Sequence, residues 1–479
     1  MSWKVFCNGM MSNAGEREER RLQWERALRV AHEQMALLTS SAAGHMLACA
    51  FAERAIIRSW QVHTIHHHPG AGVSVGYNVV WDELRYRGTP AEYRQRDDVY
   101  VVVSSGEFFP RVPGGAGCSR LDGELAEIAT GSLAQRTVRI VSGKHRFYVW
   151  VFPDDPLLPA LARACDPQWL SALLGAPTYS ELLSYRPMCR AVLRCEGREP
   201  ARSNRLGVIG KNGGSHGGAH SGNSFFIKVI RPEETDEVVE RTRIIAQGGV
   251  GCPQIVHVDP AGLIVAKEVA GQVLHKRYTK IGVNESKKLA EELFSALNLT
   301  LDGLPQELMS FPQRASWSAR CGHYARLCLH ALPHESARCR SIVQYIRRIR
   351  QHLDPAMLCP THGDFYEANI FLDPLSWQVA GLVDLDMCGP GYRVDDWACL
   401  LGHLSVLPML NPQYSHTRKL CQELFVLAGQ HVGTEILAAS CAGVVLSLAA
   451  SSRERAGSAW RSQMRQCLDI AEKWIRYCE

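Results

Sequence analysis

Apolar and polar residues recur with different periods along the chain, and these periods predict its elements. Residues 15–60 contain few helix breakers and predict one or two helices. From about Val73 to Val151, β-branched and aromatic runs such as DVYVVVSSG and RFYVWVF are separated by Gly, Pro and Asp. That pattern predicts strands and hairpins. We therefore expect a separate α+β domain over residues 1–175.

The rest of the chain changes from a strand pattern to a helical one. In residues 176–270, the runs CRAVLRCEG, SFFIKVIRP, QIVHVDP and LIVAKEVAG surround one helical run, TDEVVERTRIIAQ. This predicts a small antiparallel sheet with one inserted helix. Residues 271–479 are mostly helical in pattern, and Leu289, Leu293 and Leu297 recur at helical spacing. The expected fold class is α+β, with a sheet-rich part followed by a helical part.

Composition excludes several classes of protein. Hydrophobic residues make up 46% and charged residues 21%, as in ordinary globular proteins. A net charge of +5 over 479 residues is too small to predict a nucleic-acid partner. The N-terminus lacks the apolar run of a signal peptide, and the richest run, CAGVVLSLAA, has about half the length of a membrane span. We predict that this run is a buried helix and that the protein has no membrane partner.

Cysteines and histidines indicate no metal centre. The 17 cysteines are scattered and contain no C-x-x-C pair, which favours free thiols and a cytoplasmic location. In the run HTIHHHPG, residues 63–70, no Cys or carboxylate lies at ligand spacing. We predict an exposed loop there.

The stretch CPTHGDFYEANIFLD, residues 359–373, carries the chemistry. Asp364 and Asn369 lie on a loop that leads into a predicted strand, and the next strand, VAGLVDLD, ends in Asp384 and Asp386. Side chains at the ends of neighbouring short strands can converge. Carboxylate and amide oxygens suit Mg²⁺, which takes one or two carboxylates together with substrate phosphates. A further aspartate that positions an attacking hydroxyl completes the set used for phosphoryl transfer from ATP.

An upstream strand supplies a cation for the phosphates. Lys228 lies in the middle of SFFIKVIRP, where an unpaired ammonium would be costly, so we expect it to face bound anions. Glu240, on the following helical run, is the predicted partner of Lys228. LIVAKEVAG then leads into a linker, where backbone groups of Lys267, Glu268 and Val269 are expected to bond the adenine edge.

Residues from about 185 to 404 resemble the aminoglycoside phosphotransferase and choline kinase family, which has a protein-kinase-like two-lobed fold. The matching runs are FFIKV, LIVAKEVAG, HGDFYEANIFLD and GLVDLDMCGPGYRVDDWA. The resemblance implies a small antiparallel-sheet N-lobe over 176–270 and a mostly helical C-lobe over 271–479.

The resemblance also implies roles for individual residues. Asp364 would be the catalytic base, Asn369 and Asp384 would bind Mg²⁺, and Lys228 would contact the phosphates of ATP or GTP. His362 would order the catalytic loop. Asp396 would brace that loop, and Asp386 would support it or add a group to the metal site.

One segment departs from known phosphate loops. Between the first strand and the lysine strand, seven glycines occur between Gly207 and Gly222, with neither G-x-G-x-x-G nor G-x4-G-K-[ST]. Two interpretations stay open: backbone amides that approach phosphates, or a flexible linker.

The predicted function is ATP- or GTP-dependent, Mg²⁺-requiring phosphorylation of a hydroxyl on a small molecule. A protein kinase and a nucleotide-binding pseudokinase with a regulatory role are the alternatives. From Arg314 to Arg350 there are eight arginines and one glutamate, Glu335, which argues against a polycationic acceptor and favours a neutral or anionic one. A choline-type acceptor requires an aromatic cage. Its candidate members are Trp317, Tyr324, Tyr345 and Trp397.

Overall fold

The computed structural model describes residues 26–27, 29–68, 72–85, 92–105, 118–121, 124–128, 137–196, 224–278, 286–455 and 459–477. They form two compact units. The β-rich unit holds the described residues up to Thr235 together with Val256–Ala266, and the helical unit holds Asp236–Ile255 and the described residues from Lys267 onward. These borders differ from the predicted 1–175, 176–270 and 271–479, because the predicted small-lobe sheet groups with the N-terminal region. The glycine-rich segment 207–222 lies outside the described residues.

The first sheet of the β-rich unit has seven antiparallel strands in the order β1-β2-β3-β7-β6-β5-β4. The strands are β1 (Ala55–His68), β2 (Gly72–Arg85), β3 (Glu92–Ser105), β4 (Cys118–Leu121), β5 (Glu124–Ile128), β6 (Thr137–Ser142) and β7 (His145–Val151). The helices of this unit are α1 (residues 29–38), α2 (Ala42–Phe51), α3 (Leu161–Ala164) and α4 (Pro167–Leu174).

Two predictions for residues 52–68 are wrong, because these residues lead into and form strand β1. The helices predicted up to residue 60 end at Phe51, and the histidine run predicted as an exposed loop is the end of β1, which pairs with β2 along its length. His66 is half-buried there, and its desolvation lowers its pKa to about 4. Two register shifts, at Ile57/Ser59 and Val62/Thr64, interrupt the alternation of β1. Because each bulge moves the side chains to the other face, no regular strand pattern is left in the sequence.

Both faces of the seven-stranded sheet are buried at strand β3. In β3, Val101 and Val103 belong to a core cluster with residues of α1 and α2, whereas Tyr100 and Val102 belong to a second cluster. Successive residues of a strand point to opposite faces, so the two clusters lie on the two sides of the sheet. The second cluster also contains Leu193, Ile227 and Val265 of the small sheet. The two sheets of this unit therefore share one core.

The small sheet has five strands in the order β11-β12-β10-β9-β8, and β8, β9 and β10 are antiparallel. Its strands are β8 (Tyr179–Arg186), β9 (Arg190–Glu196), β10 (Ser224–Ile230), β11 (Ile255–Asp259) and β12 (Leu263–Lys267). A buried polar chain joins this sheet to its neighbour. The Trp150 indole donates to Tyr185 Oη at 3.1 Å, and Tyr185 donates to Asp155 at 2.7 Å. Burial raises the pKa of both Asp155 and Tyr185.

The helical unit surrounds one large apolar core with two small strand groups at its edge. Its helices are α5 (Thr235–Gln247), α6 (Leu274–Tyr278), α7 (Ser286–Asp302), α8 (Cys321–Ala331), α9 (Ser336–Arg350), α10 (Arg393–Leu410), α11 (Thr417–Val432), α12 (Thr434–Arg455) and α13 (Trp460–Arg476). Its strands are β13 (Gln272–Val273), β14 (Leu358–Thr361), β15 (Ile370–Leu372), β16 (Val379–Leu382) and β17 (Gly389–Tyr392). β15 pairs with β13 and β16, and β14 pairs with β17.

Helix α12 contains the most apolar run of the chain. Among the described residues, the segment Thr434–Ser452 has the length and apolar composition of a membrane-crossing helix, and 72% of it is buried inside the protein. Cys441 and Ala442, at the start of CAGVVLSLAA, are fully buried in the core of the helical unit. The prediction of a buried helix is confirmed.

Candidate active site

The His-Gly-Asp loop begins directly after strand β14 and leads into β15. Gly363 has a φ of +79°, and a Cβ at this position would lie 2.7 Å from the carbonyl oxygen of Met387. Both the left-handed backbone and the close approach require glycine. The glycine therefore lets the loop pass against the turn that follows β16.

His362 is fully buried and links the loop to β16. Its Nε2 lies 3.1 Å from the carbonyl oxygen of Val383, and its Nδ1 accepts the backbone N–H of Asp364 at 3.3 Å. This pair of bonds fits a neutral ring with its proton on Nε2. Burial lowers the pKa of His362 to about 4, although the carboxylates of Asp384 and Asp386 act in the opposite direction. His362 is therefore a neutral positioning group.

Asp396 supports the same loop from the first turn of α10. Its fully buried carboxylate accepts the backbone N–H groups of His362 at 3.1 Å and Gly363 at 2.9 Å. Arg393 Nη1 lies 3.5 Å from the carboxylate. Burial raises the pKa of Asp396 to about 6 despite the guanidinium and the two N–H donors. This geometry agrees with the bracing role that the resemblance implies.

The structure brings Asp364 and Asn369 together. The Asn369 amide Nδ2 donates to the carbonyl oxygen of Asp364 at 2.9 Å and lies 3.5 Å from its Oδ2. Trp317 donates its indole N–H to Oδ1 of Asp364 at 3.1 Å. Because Nδ2 of Asn369 is used in this way, its amide oxygen is left as an acceptor for another group.

Asp384 stands where β16 ends, next to Asn369 across the hairpin. The backbone N–H of Val383 donates to the carbonyl oxygen of Asn369 at 3.0 Å, so Asn369 and Asp384 flank one backbone hydrogen bond. Asp384 has a φ of +58°, which is rare for a residue other than glycine and costs of order 1–3 kcal/mol. Such strain at a carboxylate is common at functional sites. Asp386 follows in a 3₁₀ turn, Leu385–Met387.

An arginine-glutamate network that was not predicted from the sequence surrounds the turn that carries Asp384 and Asp386. Glu237 on α5 accepts from Arg314 at 2.7 Å and pairs with the buried Arg241 at 2.6 Å. Arg314 also donates to the carbonyl oxygen of Asp386 at 2.7 Å, and Arg241 donates to that of Cys388 at 2.6 Å. The network therefore ties α5 to the turn that carries Asp384 and Asp386.

Glu240 lies three residues further along α5 and is half exposed. Its carboxylate accepts from Arg243 on the same helix, with one N–O distance of 2.8 Å. Its pairing with Lys228 stays a prediction. Glu237 lies on the buried side of α5, beside Val238 and Arg241. An analysis of the helical faces of TDEVVERTRIIAQ is the signal that could have identified it.

The residues predicted to bind the nucleotide lie in strands β10 and β12 and in the segment that follows β12. Lys228 lies in β10, partly buried, on the face opposite to Ile227 and Val229, as its strand position predicts. The backbone N–H of Lys267, at the end of β12, donates to the carbonyl oxygen of Gln254 at 2.9 Å. Glu268 is half-buried, and Val269 approaches Gly381 so closely that a Cβ there would lie 2.7 Å from its side chain. The nucleotide contacts of these residues stay predictions.

Two of the four candidate cage aromatics lie beside the catalytic loop. Trp317 and Tyr324 stack with ring centroids 6.2 Å apart. Trp397 is fully buried in the core, where it stacks on Phe294, and Tyr345 contacts Arg348. The four aromatics therefore form no common cage.

The described residues thus include a lysine on a strand of the small sheet, and a His-Gly-Asp loop followed by a hairpin that ends in aspartate. The sequence predicted both features from the resemblance to protein-kinase-like phosphotransferases. Residues 216–419 match the model of the phosphotransferase enzyme family (APH). The match includes every site residue predicted from the sequence.

Several solved structures are similar to this chain. Aminoglycoside phosphotransferase APH(2'')-Ib, ADP-bound, is 13% identical, with 64% of this chain and 97% of that chain covered and a TM-score of 0.39. A thermostable mutant of APH(4)-Ia, apo form, is 11% identical, with 65% and 99% covered and a TM-score of 0.43. A choline/ethanolamine kinase family protein from Mesorhizobium loti is 16% identical, with 66% and 93% covered and a TM-score of 0.37. No curated protein matches the chain.

Proposed function

We propose that the protein transfers the terminal phosphoryl group of ATP or GTP, in the presence of Mg²⁺, to a hydroxyl group of a small neutral or anionic molecule. One observation carries the proposal. Asp364 and Asn369 share a loop that His362 and Asp396 hold in place, inside the segment that matches a phosphotransferase family. Asp384 stands across the hairpin from Asn369.

Asp364 is the proposed base. The Trp317 indole donates to Oδ1 at 3.1 Å and the Asn369 amide lies 3.5 Å from Oδ2, so the carboxylate is held in place on the loop where it is proposed to accept an acceptor hydroxyl. As the hydroxyl oxygen forms its bond to the terminal phosphorus and the bond to the leaving nucleotide breaks, the hydroxyl proton passes to Asp364.

Asn369 and Asp384 are the proposed Mg²⁺ ligands. An amide oxygen and a carboxylate are hard donors, and they fit an ion that takes its remaining ligands from water and phosphates. When bound, Mg²⁺ supplies positive charge that stabilises the transferring phosphoryl group. The left-handed backbone of Asp384 directs its carboxylate from a turn that Arg314 and Arg241 fix through backbone carbonyls.

The remaining predicted contacts concern the nucleotide. Lys228 is proposed to bind its phosphates, and the backbone of Lys267 to Val269 is proposed to bind the base. Glu240 was predicted to hold Lys228, but its carboxylate already pairs with Arg243. A Glu240→Gln variant with unchanged nucleotide affinity would remove Glu240 from the proposed site.

An acceptor screen tests the proposal. The full-length chain is incubated with ATP or GTP, with and without Mg²⁺, and with sugars, sugar phosphates, amino alcohols, hydroxy acids, protein substrates or aminoglycosides. We expect nucleotide diphosphate release that requires both Mg²⁺ and a small hydroxyl acceptor. Release only with a protein acceptor would indicate a protein kinase. Nucleotide binding without release in any mixture would indicate a pseudokinase.

A further inference from the structure

Trp317 links an arginine to the proposed catalytic base. Trp317 donates to Asp364 Oδ1 at 3.1 Å, and the Arg320 guanidinium carbon lies 4.4 Å from the centre of the Trp317 ring. The same carbon lies 5.7 Å from the centre of the Tyr324 ring. One aromatic ring therefore separates the cation from the carboxylate that is proposed to receive the acceptor hydroxyl.

Arg320 differs from other arginines of the same segment in its partners. Arg314 pairs with Glu237, Arg350 with Asp395, and Arg338 with three carboxylates. Within the described part of the chain, no carboxylate pairs with Arg320, whose polar contact is the backbone carbonyl of Ser316, at 3.3 Å from Nε. Among the residues that the structure describes, no acidic side chain therefore neutralises its positive charge.

The pKa of a neighbouring histidine, His323, is lowered by burial and by the positive charge around Trp317. Burial, the charge of Arg326 and the charge of Arg320, in that order, lower the pKa of His323 to about 4. His323 contacts the Tyr324 ring edge-on, with ring centroids 5.2 Å apart. At neutral pH this histidine is uncharged, and the surface beside Trp317 takes its positive charge from arginine.

The position of Arg320 over the Trp317 ring suits anion recognition. A guanidinium has five N–H donors and can bind a carboxylate or phosphate through two of them. Contact with the ring also restricts the arginine side chain before the ligand arrives, which lowers the entropy cost of binding. A polycation would meet repulsion at the same place.

We propose that the phosphate acceptor carries a carboxylate or phosphate group, which Arg320 binds while one of its hydroxyl groups lies at Asp364. This inference rests on the proposed function and narrows its acceptor from neutral or anionic to anionic. Arg320 is a specificity residue for the acceptor, and Trp317 contacts both Arg320 and Asp364 and so positions one relative to the other.

The test compares matched acceptors on the full-length protein with Mg·ATP. The pairs are glucose and glucose 6-phosphate, ribose and ribose 5-phosphate, and glycerol and glycerate, so the panel separates phosphate from carboxylate recognition. The variants are Arg320→Gln, Arg320→Lys and the control Arg340→Gln, whose side chain is exposed and contacts Ser336 at 3.4 Å. Melting temperature and ATP affinity verify that each variant folds.

We expect the wild type to prefer the anionic member of at least one pair in kcat/KM. Arg320→Gln should reduce that preference roughly ten- to a hundredfold, mainly through KM, because one charge-assisted contact is lost. Arg320→Lys should keep part of the preference, and Arg340→Gln should keep all of it. Raising the salt concentration should weaken the preference.

The outcomes separate this inference from the proposed function. Transfer to hydroxyl acceptors without preference for the anionic members, or a preference that survives in Arg320→Gln, would overturn the inference and leave the proposed function standing. A well-folded wild type that binds Mg·ATP and transfers phosphate to no small molecule would overturn both.

Discussion

Replacing Asp396 with asparagine should slow catalysis although Asp396 touches neither nucleotide nor acceptor in the proposed reaction. The carboxylate accepts two backbone N–H groups, from His362 and Gly363, and an asparagine retains one acceptor oxygen. One N–H then faces an amide NH₂ in a buried position. Loss of a charge-assisted bond together with an unsatisfied buried donor costs about 3 kcal/mol. If the loop pays this cost when it aligns for reaction, kcat falls about a hundredfold.

Steady-state kinetics with ADP release measure this effect. We expect kcat of Asp396→Asn to fall while ATP affinity, measured by calorimetry, changes little. The matched control is Asp302→Asn, because Asp302 is an exposed carboxylate that lies 3.6 Å from the other end of the same Arg393 guanidinium. A normal kcat in Asp396→Asn would refute the bracing role. A loss of kcat in Asp302→Asn as large as in Asp396→Asn would assign the effect to Arg393.

The same substitution has a pH signature. Burial raises the pKa of Asp396 from its ordinary 3.8 to about 6, so the folded protein binds this proton more tightly than the unfolded chain does. The resulting stabilisation is fully present below about pH 3.8 and is lost as the pH rises through about 6. This stabilisation amounts to about 3 kcal/mol. The free energy of unfolding of the wild type, measured relative to that of Asp396→Asn, should therefore decrease by this amount from acidic to neutral pH. A difference between the two proteins that is independent of pH would contradict the assigned burial.

Three further outcomes are expected. Asp384→Ala should weaken Mg·ATP binding because a carboxylate ligand is lost, and calorimetry that shows wild-type affinity would contradict the metal role. Tyr185→Phe should lower the free energy of unfolding by about 2–4 kcal/mol, because Trp150 and Asp155 each lose a buried partner. Tyr179 is exposed, so the control Tyr179→Phe should leave the denaturation midpoint unchanged. Equal midpoints for the two variants would argue against the buried hydrogen-bond chain. Kanamycin-like polycations should be poor acceptors at low ionic strength, and resistance conferred on a sensitive host would disprove this.

The placement of the His-Gly-Asp loop could be predicted because its geometry is local. Asp364 and Asn369 are five residues apart on a loop between two short strands, and Asp384 ends the next strand of the same hairpin. A hairpin of this length leaves few ways to arrange the three side chains, so residue type and spacing predict that they lie close together, whereas their catalytic and metal-binding roles stay predictions. The strand position of Lys228 followed in the same way from the apolar residues on both sides of it.

The parts that were missed depend on contacts between distant segments. Arg314 reaches Glu237, 77 residues earlier, and no local pattern indicates that pairing. Glu237 and Glu240 are separated by less than one helical turn. The apolar face of α5 separates the two positions, but the sequence does not show that this face packs against the turn that carries Asp384 and Asp386. In the N-terminal region, pairing with β2 forms strand β1 despite two bulges that remove its alternation. Shared burial, likewise, groups the small sheet with the N-terminal sheet.

The most direct test of the central claim is phosphoryl transfer by wild type and Asp364→Asn under conditions in which both are saturated with Mg·ATP. We predict that the wild type produces a phosphorylated small molecule, identified by mass spectrometry. We also predict that the variant binds Mg·ATP with similar affinity but transfers phosphate at a rate lower by on the order of 10² or more, because a positioned base is lost. Equal rates for the two proteins at equal nucleotide occupancy would contradict the assignment of Asp364 as the catalytic base.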